Sequence, residues 1–261
     1  WSMGSELLID LWQPHSLMLP FVLFLVLVVG VADGRTWCIP WALAVMSVLV
    51  QTHIGYAYIL ALLCPVAAVS YWLERRRRPH ATMRVALTSR PALTSAAVLA
   101  VIWFQPVYEQ FFGPGPGNLG RLVTNASGGS LQVGSRAAVG IGARLFALPP
   151  WWGRSGFATS VPGTRPGGTP EHPTFSIPSL PGPALSAALL VVLVAVLIGL
   201  VVFHRRRGSH VLASVSLIAV AGVVGSVVAV SKLTVGQVGM SSHHVRFMWP
   251  LSILVQVAIL A

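Results

Sequence analysis

Residues 37–73 read WCIPWALAVMSVLVQTHIGYAYILALLCPVAAVSYWL, an apolar stretch that is interrupted near its middle by Gln51, Thr52, His53 and Tyr56. As a single α-helix, this stretch would be about 55 Å long at 1.5 Å per residue, whereas the hydrocarbon core of a bilayer is about 30 Å thick. The stretch must therefore fold back on itself, and the polar residues mark the turn. The sequence predicts a membrane hairpin over residues 37–73.

The composition of the whole chain favours a membrane protein. Hydrophobic residues make up 55% of the 261 residues, and charged residues only 9%, against about 25% in soluble globular domains. The predicted fold class is an all-α, polytopic transmembrane helix bundle of about seven spans with one long outer loop. We expect N-terminal membrane helices in 1–107, the outer loop in 108–183 and C-terminal membrane helices in 184–261. The apolar spans are 17–32, 37–51, 56–73, 91–107, 184–203, 210–230 and 247–261.

The positive charges indicate which loops face the cytoplasm. The formal net charge is +11, and many of the arginines lie at the ends of apolar spans, at Arg35, 75–78 and 205–207. Such clustering is typical of cytoplasmic loops under the positive-inside rule. A nucleic-acid-binding surface would instead spread its basic residues over one solvated face with aromatic partners, so we expect no nucleic-acid partner.

The outer loop has two parts of different composition. Apolar residues recur at helical spacing over 133–148, which predicts a helix that lies along the membrane surface, although three glycines weaken that pattern. Residues 153–183 are rich in Pro, Gly, Ser and Thr, which favours an extended or disordered tether.

Hydrogen-bonding and ionisable side chains concentrate on the predicted outer side, where they form a candidate site. A carboxylate near the hydrocarbon, such as Glu109, suits proton transfer, and a guanidinium, such as that of Arg246, can clamp a lipid phosphate with two hydrogen bonds. The alternative is structural: polar groups satisfy the backbone at a turn, Tyr56 belongs to an interfacial aromatic belt, and Arg246 anchors the helix end. The candidate residues are Gln51, His53, Tyr56, Glu109, Gln110, His243, His244 and Arg246.

No cofactor is predicted from these residues. His243 and His244 are adjacent, and adjacent side chains rarely point the same way; the chain also has no HxxH or HxxxH pairing. A metal site is therefore not predicted, and a divalent metal ion bound with the help of His53 stays an open alternative.

Four segments resemble a known family. They are WQPHSLMLPF at 12–21, VLVQTHIGYAYI at 48–59, VIWFQPVYEQFFGPGPGNLGRLV at 101–123 and HHVRFMWPLSIL at 243–254. The chain is similar over most of its length to actinobacterial polytopic membrane proteins that resemble the GT-C superfamily of glycosyltransferases. The resemblance implies an enzyme of the plasma membrane that moves a sugar from a polyprenyl-phosphate lipid donor to a glycan or lipid acceptor of the cell envelope, on the exoplasmic side.

The resemblance also implies roles for residues. Enzymes of this kind carry a key aspartate in their first outer loop, which would precede Trp1, so we expect the chain to be a fragment that lacks the N-terminal part. Glu109 would then act as base or orient the acceptor, and Arg246 with His243 or His244 would face the phosphate. Sugar hydroxyls would hydrogen-bond to Gln51, His53 and Tyr56.

Two other functions remain open from the sequence. A secondary transporter would need charged or broken segments near the bilayer midplane and two related halves. A non-enzymatic membrane subunit would bind lipid or a partner protein, and Gly222 and Gly225 in the sixth span would let another helix approach closely.

Overall fold

The computed structural model describes residues 16–53, 55–77, 89–113, 115, 117, 120, 132–147, 165–168, 173–176, 180–234 and 242–261. A helix lies at each of the seven predicted spans, and one more lies in the outer loop. The helices are α1 (Met18–Ala32), α2 (Cys38–Thr52), α3 (Gly55–Arg77), α4 (Arg90–Phe112), α5 (Gly134–Phe146), α6 (Pro183–Arg206), α7 (His210–Lys232) and α8 (Met248–Leu260).

The helices form a membrane-embedded bundle, as the composition predicts. Four of them, α3, α4, α6 and α7, are long and apolar enough to cross a bilayer. The apolar helices α1 and α2 have 15 residues each and α8 has 13. At 1.5 Å per residue these three are about 20 to 23 Å long, shorter than a hydrocarbon core of about 30 Å.

The chain folds back between α2 and α3, at the polar interruption. The hydroxyl groups of Thr36 and Tyr71 are hydrogen-bonded at 3.2 Å, and the Cys64 thiol donates to the Met46 sulfur at 3.6 Å. Each of these contacts joins a residue before the turn to a residue that follows the turn by a similar number of positions. The helices α2 and α3 are therefore antiparallel, with the turn at His53.

Helix α7 is the centre of the bundle, because its sides contact α1, α3, α5, α6 and α8. Two glycines make close packing possible. A Cβ atom at Gly222 would lie 2.5 Å from Cδ2 of Leu251 on α8, and one at Gly225 would lie 2.6 Å from Cδ1 of Ile59 on α3. The surface that these glycines create is therefore occupied by helices of the same chain.

Helix α5 of the outer loop packs against the bundle, and its predicted position along the membrane surface stays a prediction. The Ser252 hydroxyl of α8 donates to the carbonyl of Leu145 at 3.0 Å. Cβ atoms at Gly140 and Gly142 would meet Leu180 at 3.0 Å and Val227 at 3.2 Å. An amphipathic pattern is satisfied equally by lipid and by protein, and the glycines that weakened the helix prediction permit its close packing.

Two short strands lie in the segment that was predicted to be an extended or disordered tether. Arg165–Gly168 (β1) pairs with Pro173–Ser176 (β2) in an antiparallel arrangement. Part of this segment therefore has regular local structure.

The bundle has two ends of different chemistry. One end, here called the arginine end, carries Arg35, Arg75, Arg76, Arg77, Arg205, Arg206 and Arg207. The other, here called the histidine end, carries His53, His244 and Arg246. Each group collects residues from several helices and the turns beside them.

Candidate functional site

His53 forms the turn between α2 and α3. Its backbone is extended, with φ −149° and ψ 110°, and its Nδ1 accepts a hydrogen bond from the Gly55 N–H at 3.1 Å. Its carbonyl accepts from the Tyr56 N–H, also at 3.1 Å. Because Nδ1 is an acceptor, the neutral ring carries its proton on Nε2, which makes Nε2 a hydrogen-bond donor.

His53 interacts electrostatically with His244 from the other half of the chain. Burial lowers the pKa of His53 below its usual 6.5, and the charge of the neighbouring His244 lowers that pKa further. At neutral pH His53 is therefore an uncharged donor. The structure thus brings together two of the predicted site residues.

Tyr56 is buried at the centre of an aromatic cluster, with only 4% of its surface exposed. Its ring centroid lies 5.1 Å from that of Phe21, 6.0 Å from that of Phe247 and 6.1 Å from that of His53. This ring connects α1, α3 and the start of α8. It therefore packs the His53 turn against α1 and the start of α8. Such burial does not fit an interfacial belt that faces the lipid headgroups.

Arg246 is half-buried at the start of α8. Its guanidinium carbon lies 4.8 Å from the centre of the Trp249 ring, which is itself buried. The cation–π contact holds the side chain against the protein while leaving a cation at the histidine end. A short 3₁₀ helix, Ser242–Val245, precedes it and supplies His244. The side chain of His243 lies outside what the structure describes.

Glu109 and Gln110 lie in the last turn of α4, which extends beyond the predicted span. The Gln105 amide donates to Glu109 at 3.0 Å, and Gln110 accepts from the Gly120 N–H at 2.9 Å. Helix α4 packs mainly against α2 and has no buried residue among those described. Gln51, at the end of α2, donates to the carbonyl of Ile102 on α4 at 3.3 Å. The predicted site residues thus fall into two groups, one around His53 and one at the end of α4, and the Gln51 hydrogen bond joins α2 to α4.

The sequence reasoning missed two buried acidic residues at the arginine end. Asp33 accepts from Nε of Arg35 at 3.1 Å, and Glu74 accepts from Arg77 at 3.1 Å. Glu74 also lies 3.9 Å from Nδ1 of His210. A signal was present for Glu74, since it stands three positions before Arg77, which is the spacing of helical ion pairs.

The described ranges hold no group of three or more His, Cys, Asp or Glu side chains that could bind a metal ion. The acidic residues Glu6 and Asp10, which lie closest to Trp1, are outside these ranges. The divalent metal ion that the sequence left open thus gains no support from the described geometry.

Fold and site together define a polytopic helical membrane protein with a polar site at one end of the bundle. No protein-family model matches the chain, and no curated protein or solved structure is significantly similar to it. Any more specific function must therefore be argued from the site.

Proposed function

We propose that the chain is a membrane glycosyltransferase of the GT-C type, which moves a sugar from a polyprenyl-phosphate donor to a cell-envelope acceptor. In this proposal the histidine end faces the exoplasmic side of the plasma membrane and the arginine end faces the cytoplasm. One observation carries the proposal. The His53 turn interacts electrostatically with His244, and Tyr56 beside that turn contacts Phe247, so the turn lies near the segment that carries Arg246.

Arg246 is the residue best suited to bind the donor phosphate. A guanidinium presents paired donors that match phosphate oxygens, and partial burial strengthens such hydrogen bonds. The adjacent His244 adds a second donor, and neutral His53 offers its Nε2 proton to a phosphate or sugar oxygen. All three groups donate, as an anionic ligand requires.

The reaction needs a base as well as an anion-binding group. In the proposed step, a base removes the proton from the acceptor hydroxyl, the hydroxyl oxygen bonds to the anomeric carbon, and the bond from that carbon to the phosphate oxygen breaks. The phosphate leaves with the electron pair and is stabilised by Arg246. Glu109 is proposed as the base or as the group that orients the acceptor. Its helix α4 is hydrogen-bonded to the end of α2 through Gln51 and the Ile102 carbonyl, seven residues before Glu109, which supports this proposal.

The structure changes the proposed role of Tyr56. A buried ring that contacts Phe21 and Phe247 positions the turn and the start of α8. We therefore assign Tyr56 to positioning, and Gln51, His53 and Gln110 to polar contacts with the sugar or acceptor.

The test is glycosyl transfer from a polyprenyl-phosphate sugar in membranes that contain the protein. Glu109→Gln and Arg246→Ala should each lower the rate by more than about threefold, while Arg206→Ala, at the other end of the bundle, should leave it unchanged. If both site variants stay within about threefold of the unmodified protein, the assignment is wrong. Solute flux in reconstituted liposomes without any sugar transfer would favour a transporter instead.

One argument for a non-enzymatic subunit loses its support. Gly222 and Gly225 were the feature that favoured a partner helix, and Leu251 and Ile59 of the same chain fill the space beside them.

A further inference from the structure

An apolar groove runs along α3 near the arginine end, on the side that faces the start of α7. Its volume is about 380 Å³, and its wall includes Pro65, Val66, Val69, Leu73 and Leu217. From residue 65 to residue 73 the helix rises by about 12 Å. The groove is therefore long enough for a substantial part of an acyl chain.

Arg205, near the end of α6, also lines this groove. It is half-buried, whereas Arg206 and Arg207 are exposed. Arg207 stacks on Phe203 instead, with its guanidinium carbon 4.3 Å from the ring centre. Of the three successive arginines, Arg205 is the one that lines the groove.

The nearby carboxylates do not neutralise Arg205. Asp33 pairs with Arg35, and Glu74 pairs with Arg77 and lies near His210. In the part of the chain that the structure describes, Arg205 forms no ion pair with an acidic residue. An apolar wall with an uncompensated cation beside it calls for a ligand that has an anionic head and an apolar tail.

We propose that this groove binds one anionic phospholipid from the leaflet at the arginine end, with an acyl chain along Val66, Val69 and Leu73 and the phosphate on Arg205. A neutral chain alone would leave the guanidinium without a counterion, and a soluble anion would leave the apolar wall empty. Arg76 lies over the exposed ring of Trp72, with its guanidinium carbon 3.7 Å from the ring centre. Aromatic and basic residues of this kind are typical of the headgroup layer, which supports the depth assigned to the phosphate.

The experiment measures lipid binding to the purified full chain in neutral detergent. Phosphatidylglycerol and phosphatidylcholine are titrated separately, and bound lipid is counted by native mass spectrometry. We expect tighter binding of phosphatidylglycerol. Arg205→Gln should weaken its binding about tenfold, the effect of losing a charged hydrogen-bonded pair. The matched variant Arg206→Gln, which changes an exposed neighbour, should weaken binding less than about twofold.

A second pair of variants tests the groove itself. Val69→Trp fills the groove while leaving Arg205 in place, and should weaken phosphatidylglycerol binding as Arg205→Gln does. Val101→Trp makes the same change on α4 at a site that is 77% exposed, and should have no effect. Should Val69→Trp fail to fold, as judged by its melting in neutral detergent, Leu217→Phe repeats the test with a smaller side chain.

Three results would overturn the proposal. Equal losses from Arg205→Gln and Arg206→Gln would indicate a general attraction between lipid and a basic surface. Binding of glycerol 3-phosphate as tight as that of phosphatidylglycerol would indicate a site for soluble phosphate. Unchanged binding in folded groove-filling variants would place the lipid elsewhere. None of these measurements depends on sugar transfer, because the groove lies at the opposite end from the proposed active site.

Discussion

The charge of His244 lowers the pKa of His53, although the two residues lie in opposite halves of the chain. This coupling exists because the turn between α2 and α3 and the segment before α8 meet at the same end of the bundle. It is also the interaction on which the proposed active site most depends.

The lowered pKa of His53 predicts that the stability of the protein depends on pH. The pKa of His53 in the folded state is below its value in the unfolded chain, so the unfolded chain binds the proton more readily. The contribution of His53 is therefore complete above pH about 6.5 and is lost as the pH falls below that value. We expect the melting temperature in detergent to fall between pH 7.5 and pH 5.5, and to fall less in His53→Gln. His244→Gln should remove part of the response. An unchanged response in both variants would contradict the lowered pKa of His53.

Two substitutions of Tyr56 distinguish a packing role from a role in sugar binding. Tyr56→Ala should lower the free energy of unfolding by about 3 kcal/mol or more, because it removes a buried ring from the cluster. Tyr56→Phe keeps the ring, and it should retain both stability and any transfer activity. Thermal melting and the transfer assay check the two parts. A stable Tyr56→Phe variant with greatly reduced transfer would show instead that the hydroxyl group contacts the substrate.

Adding a methyl group at a glycine of α7 should lower the stability of the bundle, because these glycines lie at close helix contacts. Gly222→Ala and Gly225→Ala should each destabilise the bundle by about 1 to 3 kcal/mol, since a new Cβ would overlap Leu251 or Ile59. Gly199→Ala in α6 is the matched control, because nothing lies within 4 Å of its Cβ position. Unfolding in a denaturing detergent mixture measures all three. Equal effects at the three positions would contradict the packing described for α7.

The two ends of the bundle predict opposite labelling of engineered cysteines. In a background with Cys38 and Cys64 replaced by serine, a cysteine at position 53 or 109 should react with a membrane-impermeant reagent in intact cells. A cysteine at position 206 should react only after the cells are opened. Reversal of this pattern would place the histidine end in the cytoplasm and remove the proposed access to an exoplasmic donor.

The length of the apolar stretches was enough to predict the helices and the turn at His53. The order of the spans and the positions of the arginine clusters were enough to predict that His53 and His244 lie at the same end of the bundle. Their electrostatic interaction could not be predicted, because it depends on how α1, α3 and α8 pack around Tyr56. The position of α5 could not be predicted either, because an apolar stripe fits a lipid surface and a protein surface equally well. The partners of Asp33 and Glu74 were visible as neighbouring arginines, but their burial depends on tertiary packing.

Helix α4 is attached to the bundle mainly through α2, and none of its described residues is buried. Among the described residues, the side of α4 that faces away from α2 is therefore uncovered. In the proposed reaction, a long isoprenoid tail would reach the histidine end from the bilayer along this open side of α4.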